Sequence, residues 1–234
     1  QPSEIAKLAV ILFYSFSLSK RKDQLQHFFK GLGPYLLLLG VIAALLIKQP
    51  HNSGAIIICF IAVVILFCAG AKISHFASIS VPAISALIAV LLFSSHGKKR
   101  IASFIDPFSD PQGDGFQAIQ SLLAVGSGGL FGKGLGRSMQ KLLYIPEPYN
   151  DFILAVLAEE LGFIGVFAVL LLFTILIWRG IKVAMTAPDV FGSLVAIGIT
   201  SLIAIQVIIN VAVVTGSMPV TGMPLPFFSY GGTS

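Results

Sequence analysis

Apolar residues in this chain are gathered into long runs separated by short polar stretches. Six runs are visible, at residues 5–18, 32–47, 54–71, 76–94, 152–178 and 190–214. Several approach the ~20 residues that a helix needs to cross ~30 Å of hydrocarbon. Because backbone polar groups inside a bilayer must be paired within the protein, the runs are predicted to be helices. The first run is expected to extend back to the opening Gln1-Pro2.

Composition supports a membrane protein. Of the 234 residues, 56% are hydrophobic and only 11% are charged, whereas soluble domains carry about 25% charged residues. The mean hydropathy is +0.94. We therefore predict an all-α polytopic protein, with residues 1–234 forming one integral membrane domain. The chain opens without Met and stops inside a motif, which suggests a piece of a larger membrane protein.

Basic residues in the short loops predict the orientation of the helices, because such residues accumulate on the cytoplasmic side. The loops after runs one, three and five hold most of them, namely Lys20, Arg21, Lys22, Lys30, Lys72, Arg179 and Lys182. The loop after run two holds only Lys48. The N-terminus, the 95–150 loop and the C-terminal Pro/Gly segment are then expected outside the cell.

The 95–150 loop is longer and richer in aromatic residues than a simple connection between two helices. Loops of this length inside compact domains are usually functional or disordered. We expect short amphipathic or re-entrant helices on the outer face. The basic residues of the loop predict an anionic substrate.

A glycine-rich segment runs from Gly126 to Gly136 within this loop. It fits neither a phosphate-binding P-loop nor a dinucleotide fingerprint. Its glycines permit close backbone approach to a ligand, and successive N–H groups can form an anion nest. Lys133 and Arg137 would add positive charge to such a nest. A flexible loop with no ligand explains the composition equally well.

Two carboxylates precede the fifth run. Asp151 is placed to cap a helix starting at Phe152, and capping does not exclude catalysis. A carboxylate at the lipid–water boundary loses solvation, which makes it a better base. Glu147 lies between Pro146 and Pro148, which fix its direction; it is either a second functional acid or a solvated loop residue.

Polar side chains inside the apolar runs need partners, because a charged residue there costs roughly 2.5 kcal/mol or more. Glu159 and Glu160 lie two turns into the fifth run, and we predict structural pairing for both. Glu4 and Lys7 have the i, i+3 spacing of an ion pair on one helix face. Gln206 and Asn210 are predicted to form interhelical hydrogen bonds.

The segment 216–232 carries Pro219, Pro224 and Pro226, so a continuous helix is excluded. Irregular backbone near a membrane is tolerated where it lines a cavity or is covered by protein. We predict an extracytoplasmic, re-entrant wall of the same site.

Several of these segments together resemble one known family. The matching stretches cover essentially the whole chain and are residues 1–7, 103–107, 115–121, 126–136, 140–141, 144–162 and 224–232. They are similar to the SEDS proteins (FtsW, RodA and SpoVE), with a closer similarity to FtsW and SpoVE. The resemblance implies a bundle of about ten transmembrane helices, of which six to seven are present here. The runs would be the fourth to the ninth.

The resemblance also implies peptidoglycan glycosyltransfer on lipid II during cell division or sporulation. Asp151 aligns with the family's essential loop aspartate and is the implied general base. Undecaprenyl pyrophosphate is the implied leaving group. The substrate-binding candidates are Arg100, Gln117, Lys133, Arg137, Lys141, Glu147 and Ser229. No cofactor is implied with certainty; Mg²⁺ or Mn²⁺ would suit the pyrophosphate, yet no metal-ligand cluster stands out.

The implied setting is the bacterial plasma membrane, with the active site on the extracytoplasmic side. The implied partners are a class B penicillin-binding protein and other divisome or sporulation membrane proteins, with no role for nucleic acid. One departure stands at Gln49–Gly54, which lacks an acid that many relatives carry. Two alternatives to the polymerase remain, a lipid II flippase and a non-catalytic divisome scaffold.

Overall fold

The regular secondary structure of the described residues is helical. The computed structural model describes residues 2–21, 25, 31–49, 52–76, 101–111, 113, 115–139 and 150–230. Its longer helices are α1 (Pro2–Lys20), α2 (Gly33–Lys48), α3 (Asn52–Cys68), α4 (Phe116–Gly128), α5 (Ile153–Thr186) and α6 (Val190–Val214). No strand occurs among these residues, which confirms the predicted all-α class.

The apolar runs locate most of these helices. Helix α1 starts at Pro2, as expected from the Gln-Pro opening, while α5 continues to Thr186, well past the predicted end at residue 178. The fourth run, 76–94, lies outside the described residues except for its first position. By length and composition, α5 and α6 can each cross a membrane.

The fold divides into two compact units. The first contains residues 1–84 and 175–205, and the second contains residues 85–174 and 206–232. In the first unit, α1 packs on α3 through side chains spaced three and four residues apart, such as Ile11, Tyr14 and Leu18. Gly198 of α6 lies against Ile11 and Ile65, where a Cβ atom would be crowded. Small residues permit this close approach, because helices in lipid associate mainly by van der Waals packing.

Polar contacts in the first unit join α1 to the start of α2. The Tyr14 hydroxyl donates to the Tyr35 carbonyl at 2.6 Å. The two rings lie edge to face with centroids 5.3 Å apart. Near the other end of α1, the buried Lys7 ammonium lies 2.6 Å from Glu4 Oε1. This is the i, i+3 pair whose spacing the sequence shows, and it neutralises a cation inside the helical bundle.

The second unit contains the short helices of the 95–150 segment. Residues 101–105 are helical, a 3₁₀ turn follows at Pro107–Ser109, and α4 comes next. Asp106 caps the 3₁₀ turn by accepting from the Phe108 N–H at 3.1 Å. The Ser121 hydroxyl of α4 donates to the Val214 carbonyl at the end of α6, at 3.1 Å. The extracytoplasmic placement of this segment stays a prediction.

Helix α5 is interrupted, which the sequence did not predict. Gly162 has φ 69° and ψ −169°, far from helical values. A continuous helix was expected because residues 152–178 form one apolar run. The apolar pattern gives the length of a helix but not the backbone conformation of one glycine within it. The break at Gly162 therefore could not be predicted from that pattern. The result is a short helix of residues 153–161 followed by a long one.

Candidate functional site

Asp151 stands at the entry to the short part of α5, within the second unit. Helix α5 begins at Ile153, one residue later than the predicted start at Phe152, and helix boundaries vary by this much between assignments. The Asp151 side chain is half-buried, whereas Phe152 beside it is buried. The carboxylate therefore lies at a protein surface next to a fixed apolar anchor.

Asn210 of α6 holds the backbone at Asp151. Its Nδ2 donates to the Asp151 carbonyl at 2.9 Å and to the Met223 carbonyl at 2.7 Å. Asn210 was expected to bond another helix. Its partners are instead two irregular segments, because both expose carbonyls that no helix satisfies. One buried amide thus joins the turn that carries Asp151 to the Pro/Gly segment.

Ser229 makes a second link to the same turn. Its hydroxyl donates to the Asn150 carbonyl at 2.5 Å and accepts from the Leu225 N–H at 2.7 Å. Ser229 was predicted to bind substrate, and its place in the structure is that of a bridge between Asn150 and the Pro/Gly segment. The peptide groups before and after the Asp151 Cα are therefore both held by hydrogen bonds.

The Pro/Gly segment forms a wall beside the Asp151 carboxylate. Residues 216–230 contain no regular helix. Gly222 has φ 61°, and a Cβ atom built on it would lie 3.1 Å from Asp151 Oδ2. Only glycine combines this backbone conformation with this free space at low cost. Met223 and Leu225 are buried and anchor the segment behind the carboxylate.

The glycine-rich segment docks on the break in α5. The Lys133 and Gly134 N–H groups donate to the Glu159 and Glu160 carbonyls at 2.9 and 3.0 Å. In the opposite direction, Phe163 donates its N–H to the Gly129 carbonyl at 2.9 Å. Ile164 does the same with the Leu130 carbonyl at 3.2 Å. The segment thus supplies the hydrogen bonds that the interrupted helix cannot make for itself.

Close backbone contact explains the glycines at this junction. Cβ atoms built on Gly128, Gly132 and Gly162 would run into backbone atoms of the facing segment. A nest with free N–H groups was one of the two sequence interpretations. The described N–H groups of Lys133 and Gly134 are instead bonded to α5, so these two are not available to an anion.

The Glu159 carboxylate is the centre of a buried polar cluster. Its side chain is 0% exposed, and Oε1 lies 2.7 Å from the Lys133 ammonium. Oε1 also accepts from the Met139 N–H at 3.2 Å, and Oε2 accepts from the Ser138 hydroxyl at 2.5 Å. Glu160 accepts from the Ser138 N–H at 3.4 Å. The charge is compensated by one cation and several donors, as a buried charge requires.

The remaining predicted site residues are placed as follows. Lys133, predicted to contact substrate, lies against Glu159. Arg137 is exposed at the end of the glycine segment, and Gln117 is half-buried in the first turn of α4. Gln206 is buried in α6. Arg100, Lys141 and Glu147 lie outside the described residues.

Sequence reasoning missed two contributors to this site, Ser138 and Gly222. Ser138 is an ordinary serine in a loop, and no local signal reveals that it meets Glu159. Gly222 follows a threonine and precedes Met-Pro in a segment where any glycine reads as a turn residue. Its left-handed φ and its proximity to Asp151 emerge only when the segment folds back.

Comparison with known proteins identifies the family. A model described as FtsW/RodA/SpoVE cell cycle protein matches residues 1–234. Stage V sporulation protein E of Bacillus subtilis (strain 168) is 49% identical over the whole chain, which covers 64% of that protein. A probable peptidoglycan glycosyltransferase FtsW of Geobacter sp. (strain M18) is 45% identical, with the same coverage.

Solved structures are also similar to this chain. A chain from a structure on polymerization and crosslinking by a peptidoglycan synthase complex matches with TM-score 0.79 and 31% identity. This chain covers 65% of it. RodA of Thermus thermophilus matches with TM-score 0.65 and 30% identity, with 60% of it covered. The chain spans under two thirds of the length of these relatives, all of it within the shared region. Together with its all-α architecture and membrane-spanning helices, this shows that the chain belongs to the FtsW/RodA/SpoVE family of polytopic membrane proteins.

Proposed function

We propose that the protein containing this chain is a peptidoglycan glycosyltransferase that polymerises lipid II into glycan strands. The family names of its relatives support the reaction class. The observation that carries the proposal is the fixation of Asp151. Asn210 and Ser229 hold the backbone on either side of its peptide, and Gly222 leaves space beside its carboxylate. A transferase needs a base in one geometry, which this arrangement provides.

Asp151 acts in this proposal as the general base. Its carboxylate removes the proton from the 4-hydroxyl of the acceptor sugar as that oxygen attacks the anomeric carbon of the growing strand. The bond from that carbon to the pyrophosphate oxygen breaks, and undecaprenyl pyrophosphate leaves with the electron pair. A single displacement of this kind inverts the anomeric centre. Base catalysis of this type contributes about 10²- to 10⁴-fold to a rate.

Positive charge near the leaving group completes the proposed site. Arg137 is exposed and carries a planar donor set suited to phosphate. We assign it, with Arg100 and Lys141, to the pyrophosphate. Lys133 is assigned differently from the sequence prediction, because its ammonium already neutralises the buried Glu159. It positions the short part of α5 and through it Asp151.

A divalent cation remains a separate prediction. Within the described ranges, no three His, Cys, Asp or Glu side chains converge into a ligand set. Mg²⁺ or Mn²⁺ would act at the pyrophosphate of the leaving group. The chemistry it would supply is charge neutralisation of the leaving group.

The proposed setting follows the family. We place the protein in the bacterial plasma membrane with Asp151 on the extracytoplasmic side. A class B penicillin-binding protein is the proposed partner, consistent with the synthase complex that one structural relative belongs to. Other divisome or sporulation membrane proteins would recruit the pair.

The decisive experiment uses the full-length protein, purified with its cognate transpeptidase and supplied with labelled lipid II. Wild type is compared with Asp151→Asn and with the control Asp189→Asn. Asp189 caps α6 by accepting from the Gly192 N–H at 2.8 Å, and asparagine caps helices equally well. Glycan strands from wild type and from the control, with none from Asp151→Asn, are the expected result.

Other outcomes reassign the function. Equal polymer from wild type and Asp151→Asn would remove Asp151 as the base and direct attention to Glu147. No polymer from any variant, in a preparation shown to bind its partner, would favour the flippase or the scaffold. A lipid II translocation assay in vesicles then separates those two.

A further inference from the structure

A cavity of the first unit lies between α1 and α2. Its volume is about 490 Å³, within the range of small-molecule sites. It opens beside Lys20 and Arg21 at the C-terminal end of α1 and reaches down to Leu38 of α2. The residues that line the cavity belong to the first unit, whereas those of the Asp151 site belong to the second.

The lower part of the cavity is apolar and aromatic. Phe13, Phe16 and Leu38 line it, and Phe13 and Phe16 are both half exposed. Higher up, the Ser17 and Tyr35 hydroxyls share a hydrogen bond at 2.7 Å. The cavity therefore passes from hydrocarbon-like walls to hydroxyl groups within a few ångströms. A glycerophospholipid has this same sequence of acyl chain, ester and headgroup.

The walls of the cavity are held apart by fixed contacts. Tyr14 donates to the Tyr35 carbonyl at 2.6 Å and packs against the Tyr35 ring. This contact fixes the start of α2 against α1. The site is thus largely formed before a ligand enters, which lowers the ordering cost of binding.

The rim of the cavity carries two cations. Lys20 and Arg21 are exposed, and neither forms an ion pair with a carboxylate of the described residues. The Lys20 ammonium lies 4.1 Å from the centre of the Phe16 ring, and both residues line the cavity. Two cations at the rim of an apolar pocket complement a phosphate that carries acyl chains.

This end of the unit is the one predicted to face the cytoplasm. Phe16 of α1 and Phe191 of α6 are in ring contact at 6.3 Å, so the end of α1 lies beside the start of α6. The preceding turns of α5 carry Arg179 and Lys182. The cytoplasmic leaflet is rich in anionic lipid, and basic pockets between helices on that side bind its headgroups.

We propose that the cavity between α1 and α2 is a binding site for an anionic phospholipid of the cytoplasmic leaflet. Lys20 and Arg21 bind the headgroup phosphate. The Ser17–Tyr35 pair lies at the level of the esters. Phe13, Phe16 and Leu38 contact the first part of an acyl chain. The site would tie the orientation of α1 and α2 to the lipid composition of the inner leaflet.

The test is a lipid titration of the full-length protein by native mass spectrometry, with phosphatidylglycerol and phosphatidylcholine as probes. The variant K20Q/R21Q removes both rim cations. The control K72Q/K182Q removes two cations from the same predicted side, at residues that do not line the cavity. L38W keeps every charge and fills the apolar part.

Wild type and the control are expected to prefer phosphatidylglycerol by about tenfold or more. K20Q/R21Q is expected to lose that preference, and L38W is expected to lose the bound lipid of either kind. Thermal unfolding in lipid-free detergent checks that each variant is folded, so the outcome does not depend on enzymatic activity.

Three results would overturn the proposal. Equal binding of both lipids by wild type would remove the headgroup assignment. An equal loss in the K72Q/K182Q control, or unchanged binding by L38W, would reduce the effect to general surface charge. Full displacement of lipid by inorganic phosphate would make this a site for a free anion.

Discussion

The Lys133 ammonium lies 2.7 Å from Glu159 Oε1, although 26 residues separate them in the chain. The pair joins the glycine-rich segment to the short part of α5 that begins beside Asp151. Glu159 is fully buried, while the Lys133 side chain is 37% exposed. The two residues are therefore unequal, because loss of the lysine leaves a buried charge and loss of the glutamate does not.

This asymmetry predicts the behaviour of a double mutant. Lys133→Met is expected to cost about 3 kcal/mol of stability and most of the polymerase activity, since the buried Glu159 charge loses its cation. Adding Glu159→Gln is expected to restore much of both, because the amide still accepts from Ser138 or Met139 and carries no charge. Thermal unfolding and polymerisation are measured on all four members of the cycle.

One result of the same cycle would contradict the assignment of Lys133 as the cation that neutralises Glu159. A double mutant that regains its stability and stays inactive would mean that Lys133 contacts the pyrophosphate. In that case the Michaelis constant for lipid II would rise in both variants that lack the lysine.

Asn210 is predicted to act on the rate through Asp151. Asn210→Leu leaves the Asp151 and Met223 carbonyls without their donor, at about 1–3 kcal/mol for each buried group. Displacement of the carboxylate by about 1 Å is enough to lower kcat about 100-fold. Lipid II kinetics should show this fall in kcat with little change in KM. Thr215→Val is the control, since it removes an exposed hydrogen bond from the end of the same helix.

Gly222 is predicted to control the space beside Asp151. Gly222→Ala adds a Cβ atom 3.1 Å from Oδ2, at a φ of 61°. Gly70→Ala is the matched control, because Gly70 also has a positive φ, of 99°, and no atom near its Cβ position. Both variants carry a conformational cost of about 1 kcal/mol. Only Gly222→Ala should lower polymerisation, and equal activities would show that the contact with Asp151 is unimportant.

Gly162 is predicted to be the most sensitive glycine for folding. Gly162→Ala forces an L residue to φ 69° and drives its Cβ atom into the Leu130 carbonyl and the Gly132 amide. We expect a loss of several kcal/mol, measured as a lowered Tm in detergent and a reduced yield. Gly40→Ala is the comparison, because Gly40 lies within α2 with no atom near its Cβ position. Its Tm should stay the same or rise, since alanine favours helix.

The sequence predicts the helices well because lipid solvation requires long apolar runs, and those runs are explicit in the residue order. The ends of α1, α2, α3 and α6 follow closely from the apolar pattern. The i, i+3 spacing also places Glu4 and Lys7 in contact, since one helical turn fixes that geometry. Both features depend on residues close together in the chain, and such features can be predicted from the residue order.

The architecture around Asp151 depends on long-range contacts, which the sequence does not reveal. Asn210 was recognised as needing a hydrogen-bond partner, but its acceptors are 59 and 13 residues away in irregular backbone. The Lys133–Glu159 pair and the role of Ser138 depend on how the glycine segment folds onto α5. Nothing in residue spacing encodes that approach, because it is fixed by backbone bonding across the break at Gly162.

The break at Gly162 divides α5 into a part that holds Asp151 near the glycine-rich segment and a part long and apolar enough to cross a membrane. The part before it, residues 153–161, rises only ~14 Å and is tied to the glycine segment. The part after it runs on through an apolar stretch whose side chains are mostly exposed among the described residues. The distance between Asp151 and the glycine segment is therefore set by the short part alone. The long part can differ in length or tilt, as bilayers of different thickness require, while the height of the carboxylate above the glycine segment stays the same.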